Sequence, residues 1–125
     1  MSKTLSPPGD KPRLIGPTTT KKMAQRMISS LQETAACLPP GLNSPIVVEI
    51  LLTLYVEEES ARYPHASELT SPASTSPAVT ARWVDMLVQQ GLVERRDDLL
   101  ALSTAGYGIV TDLIERIYAA QRRLD

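Results

Sequence analysis

The chain has 125 residues, a net charge of −1, 42% apolar residues, one Trp and no Phe, so a single domain with an aliphatic core is expected. Near-neutral charge excludes a protein that holds nucleic acid by bulk positive charge, and a lone cysteine, Cys37, excludes an internal disulfide and fits a reducing, cytoplasmic compartment. No apolar run approaches the length of a membrane span, and the N-terminus lacks the apolar segment of a secretory signal.

Residues 1–19 are rich in Pro, Gly, Thr and Lys. Pro7, Pro8, Pro12 and Pro17 break any helix there, so a disordered arm is predicted, followed by one domain over 20–125. Residues 1–30 carry a net +5 against −6 for the rest. That asymmetry reads either as a basic arm for an anionic partner or as a solvated tail. A helix is predicted over 20–36, with Ala24, Ile28, Leu31 and Ala35 on one face, and Pro39-Pro40-Gly41 ends it. Ser44-Pro45 opens the next helix. From Ile46 to Val56 it is apolar nearly all round apart from Glu49 and Thr53, the pattern of a helix central to a core. Glu57, Glu58 and Glu59 are expected to be solvated beyond its last turn, because the C-terminal end of a helix dipole disfavours anions. His65 to Leu69 fits a short helix that Pro72 cannot continue.

Residues 76–96 are the most informative stretch. Ser76 suits an N-cap and Pro77 the first helical position. Thr80, Trp83, Val84 and Leu87 follow the i, i+3, i+4, i+7 spacing of a buried stripe, so Trp83 is expected in the core. Gly91 suits the left-handed residue that closes a helix. The opposite face carries Ala78, Ala81, Arg82, Asp85 and Gln89. Two short strands are predicted over 92–96 and 99–102, joined by a tight Asp97-Asp98 turn. Ser103 caps a final helix over 104–123, with Val110, Leu113, Ile114, Ile117 and Tyr118 along one face. The expected class is mostly α with a small β-hairpin.

An enzyme is not expected. The single histidine, His65, and the single cysteine, Cys37, lie in different segments, no Cys/His set has metal-ligand spacing, and no Gly-rich loop follows a strand. Neither a cofactor nor a metal is therefore predicted.

The helix from Ser76-Pro77 through Arg82-Trp-Val-Asp85 and Leu87, the following Gly91-Leu-Val-Glu-Arg95, and the later Leu102-Ser-Thr-Ala-Gly106 resemble a winged helix-turn-helix protein. The likeness is to the multiple-antibiotic-resistance repressor (MarR) family and covers roughly residues 44–125. The resemblance implies a dimeric, sequence-specific DNA-binding transcription regulator that occupies a palindromic site in double-stranded DNA. It further implies a small-molecule effector held between the dimer helices and the DNA-binding lobe. The helix starting at Pro77 would enter the major groove, where arginine reads guanine O6 and N7. Thr75, Ser76, Pro77, Ala78, Val79, Ala81 and Arg82 would face DNA, joined by Arg95 and Arg96 from the hairpin, or wing. Asp97 and Asp98 would oppose a phosphate there, and the family's longer wing with its Asp-x-Arg element is missing. In a homodimer of this family the terminal helices pair, through Ala24, Ile28, Leu31, Val110, Leu113, Ile114, Ile117 and Tyr118; the same stripes also suit packing within one chain. Arg82 either reads a base or pairs with Asp85 or Glu68. From His65 to Ser103 three arginines face five acids. This acidic balance keeps a second reading open, a winged helix used as a protein-interaction module.

Overall fold

The computed structural model describes residues 16–69 and 76–124. Their order is α1 (Pro17–Cys37), α2 (Pro45–Glu59), a 3-10 turn (Ala66–Glu68), α3 (Pro77–Gln89), β1 (Val93–Arg96), β2 (Leu99–Leu102) and α4 (Thr104–Arg123). The molecule is thus mostly helical with one antiparallel hairpin. None of the described helices is long and apolar enough to cross a membrane.

Local chemistry accounts for most of the boundaries. Ser44, Ser76 and Ser103 each cap a helix: their side-chain oxygens accept from the N–H of Val47, Val79 and Gly106, donors that the helix itself cannot satisfy. α1 starts at Pro17, three residues before the predicted start. Residues 17–19 therefore belong to the helix and not to the predicted arm, because proline's fixed φ and missing N–H suit a first helical position as well as they break an interior. The rest of the predicted arm, residues 1–15, lies outside the described residues. Pro39 to Leu42 forms a turn, with Gly41 at φ 85° and the Leu42 N–H donating to the Pro39 carbonyl at 3.0 Å.

α2 runs through Glu59, so Glu57, Glu58 and Glu59 form its last turn rather than lying past it. Partners offset the unfavourable dipole. Arg62 Nε donates to Glu57 at 2.6 Å and the Tyr107 hydroxyl donates to Glu59 at 3.1 Å. α2 then closes with the Arg62 N–H on the Glu57 carbonyl and the Ala61 N–H on the Glu58 carbonyl, and Ala61 takes φ 57°. α3 closes by the same paired bonds, Leu92 to Leu87 and Gly91 to Val88, with Gly91 at φ 78°. This double bond is the Schellman motif, and the buried Leu87 and Leu92 supply its hydrophobic contact.

α2 is the central element. Val47, Ile50, Leu51 and Leu54 are buried there, joined by Val84 and Leu87 of α3, Leu92, Leu100 and Leu102 around the hairpin, and Val110 of α4. The core is aliphatic throughout. Trp83 packs against it only partly buried, because at the edge of the stripe its ring is too large to be covered. In the hairpin Val93 pairs with Leu102 and Arg96 with Leu99. Asp97 and Asp98 both have positive φ, 48° and 69°, the mirror-image turn that suits strand twist. Pairing extends beyond the hairpin, since His65 bridges Leu99 and the Leu100 N–H donates to the Pro64 carbonyl at 2.8 Å.

α1 lies antiparallel along α4. Gln121 Nε2 donates to Ser30 Oγ at 3.1 Å, Arg116 Nε to Glu33 at 3.2 Å, and Cys37 Sγ to Asp112 at 3.6 Å. Residues 26, 30, 33 and 37 form the face of α1 turned to α4, and that face is polar. No residue of α1 is buried. Its apolar side points outward, with Met27 64%, Ile28 54% and Leu31 71% exposed.

Candidate nucleic-acid interface

α3 presents the face expected of it. Thr80, Val84 and Leu87 are buried, which leaves Pro77, Ala78, Ala81, Arg82, Asp85, Met86 and Gln89 exposed. Ser76 and Val79 are half-buried, so Val79 offers less surface than its neighbours, and Thr75 lies outside the described residues. Ser76 Oγ accepts the Val79 N–H at 3.2 Å. The exposed alanines keep side-chain bulk low around Arg82.

Both acids that Arg82 was weighed against are engaged elsewhere. Asp85 accepts Arg95 Nη2 at 2.9 Å, and Glu68 accepts the His65 backbone N–H at 2.8 Å. Among the described residues Arg82 makes no ion pair. Arg95 does not project from the hairpin tip, since its bond to Asp85 folds it back onto α3. Arg96 is 85% exposed, with Glu94 at 4.0 Å. Asp97 and Asp98, both exposed, occupy the tip itself.

The residues expected at a subunit contact divide into two groups. Val110 and Leu113 are buried inside this chain, so they pack the molecule's own interior and offer nothing to a second copy. Their spacing marks a stripe, but α4 packs against both α1 and α2, which covers its inner half. Ala24, Ile28, Leu31, Ile114 and Tyr118 are exposed and Ile117 is half-buried. A groove of about 730 Å³ opens between α1 and α2, bordered by Leu31, Val48, Leu52 and Val56 with Thr34 and Thr53.

Three further titratable groups are shifted from their ordinary values. Burial pushes the Cys37 thiol up, against the opposing pull of Arg116, and its bond to Asp112 adds to the rise. The Tyr107 hydroxyl is pushed up to about 12, first by its hydrogen bond to Glu59. Burial likewise raises the Glu58 carboxyl; the Leu102 N–H opposes this, while Glu59 and Glu94 add to it. No group of His, Cys, Asp and Glu among the described residues is arranged to hold a metal ion.

Comparison with known proteins reaches the fold and stops there. No family model matches the chain, and no curated protein matches it. The crystal structure of RV1404 from Mycobacterium tuberculosis is similar, with a TM-score of 0.66 at 22% identity, over 86% of this chain and 75% of that one. At this identity the likeness is one of architecture.

Proposed function

We propose that the protein is a homodimeric, sequence-specific DNA-binding transcription regulator of winged helix-turn-helix type, with α3 as the reading helix and β1–β2 as the wing. The observation that carries this reading is the outer face of α3. A single arginine stands there without an ion pair among the described residues, with Ala78 and Ala81 before it and Met86 one turn after it, on a helix capped by Ser76. Such a face enters a major groove closely, and its arginine matches the two acceptors of guanine. The homodimer reading is supported by α1, whose apolar side points outward while its polar side meets α4. The α1–α2 groove is apolar and is the natural seat for a small-molecule effector.

The rival reading, a winged helix that binds another protein, also has a specific observation behind it. Arg95 is neutralised by Asp85, and two aspartates occupy the hairpin tip, so the wing repels phosphate.

Selection from a random-sequence duplex library at low salt separates the two. The regulator reading expects an enriched motif with two half-sites about 34 Å apart. Arg82→Ala should then lose about 1–3 kcal/mol of specific affinity and relax preference at one base pair per half-site. Failure to enrich any motif would leave the interaction module in its place.

A further inference from the structure

The charges of this molecule are sorted along its length. Residues 33–116 hold twelve acids and five bases. They include α2, α3 and the hairpin. Among the described residues, the bases outside that span lie towards one end of the α1–α4 pair. Because α1 and α4 run antiparallel, the N-terminal part of α1, with Lys21, Lys22 and Arg26, lies at the same end of the pair as Arg122 and Arg123 of α4. A recess bordered by Gln25, Ser29, Ala120 and Arg123 marks the junction, with Glu33 at its inner side. The one acid in residues 16–32 and 117–125 is Asp125, which lies outside the described residues. Lys21, Lys22, Arg122 and Arg123 are exposed. Lys21, Lys22 and Arg123 make no ion pair among the described residues. Arg122 lies over the Tyr118 ring at 5.8 Å.

Helix stability accounts for only half of this. Arg122 and Arg123 suit the C-terminal end of α4. Lys21 and Lys22 sit just beyond the first turn of α1, a turn that holds no acid to pair with them. Exposed like charges gathered at one end of a fold attract a polyanion.

We infer that the joined ends of α1 and α4 form a contact surface for the phosphate backbone of duplex DNA, separate from the α3 face and indifferent to sequence. Naming DNA as the polyanion rests on the function proposed above; the charge geometry does not. α4 has 20 residues and so spans about 30 Å, which sets the cationic end roughly one helix length from the hairpin. α3 itself packs against α2, the 3-10 turn and β1. One molecule can therefore engage one stretch of duplex through α3 and a second through its cationic end.

The test is binding of the full chain to a random-sequence 30-base-pair duplex, followed by fluorescence anisotropy across a salt series. The triple variant Lys21→Gln, Lys22→Gln, Arg123→Gln should bind about tenfold more weakly at low salt, with the slope of log affinity against log salt shallower by about 2–3. Circular dichroism checks that the triple variant keeps its helix content; if it does not, Arg123→Gln alone should still flatten the slope by about 1. A triple variant with the parent's affinity and slope overturns the inference. So does a parent protein that sediments with phosphatidylserine vesicles yet ignores duplex DNA. Library selection without a motif removes the α3 reading and leaves this one standing, whereas an unchanged salt slope removes this one alone.

Discussion

At Gly106 the backbone leaves no room for any side chain. A Cβ there would fall inside the Leu92 carbonyl oxygen, and because the obstacle is backbone, it cannot swing aside. Gly106→Ala should therefore destabilise the protein by about 3 kcal/mol or more, read as a lower midpoint in urea. The Ser103 hydroxyl explains the neighbouring geometry. It donates to the Gly91 carbonyl at 2.6 Å and accepts the Gly106 N–H at 2.9 Å. Glu58 is a second position where one atom matters. Burial raises its folded pKa, so the ionised form is disfavoured in the folded state and stability falls as pH rises through the carboxylate range. Glu58→Gln should melt higher than the parent at pH 7. The gap should close as pH drops below the ordinary glutamate value of 4.5, where both side chains are neutral. An equal melting temperature at pH 7 would show that the charge is well solvated.

Element boundaries were legible wherever a side chain or a glycine makes the boundary. Ser44-Pro45, Ser76-Pro77, Ser103 and Gly91 each act within a few residues of themselves, so their effect can be read locally. What depends on distant partners could not be read. Glu57 and Glu59 extend α2 because Arg62 and Tyr107 meet them, and His65 pairs with Leu99 across more than thirty positions of chain. Periodicity found the stripes of α1 and α4 but not what each faces. The apolar stripe of α1 points to solvent, while Val110 and Leu113 point inward. On α3 the same periodicity gave the exposed candidate face, Ala78, Ala81 and Arg82, but not that Arg95 is held by Asp85. The C-terminus of α2 offers a direct test of closure chemistry. Ala61 occupies a left-handed position that costs a non-glycine residue about 1–2 kcal/mol, against an unfolded-state entropy gain of about 0.4–1 kcal/mol from having a Cβ. Ala61→Gly should thus stabilise by roughly 0.5–1 kcal/mol, and an unchanged or lower denaturation midpoint would count against the strain.

For the whole molecule, the assembly prediction follows from which apolar residues remain outside. Light scattering at micromolar concentration should give the mass of two chains. Leu31→Glu with Tyr118→Glu should reduce it to one while preserving helix content, because both residues are exposed, at 71% and 63%. Leu113→Glu should instead unfold the protein, because Leu113 is buried within a single chain. A parent protein that scatters as one chain at those concentrations would remove the dimer. The joint at Ser103 has a mechanical consequence for such an assembly. One hydroxyl ties the end of α3 to the start of α4, and the Leu92–Gly106 contact leaves no slack between them. The two helices therefore act as a lever with its fulcrum at that serine and a long arm of about 30 Å along α4. A displacement of about 1–2 Å at the far end of α4 would rotate α3 by only a few degrees, so whatever grips the α1–α4 end also holds the attitude of α3.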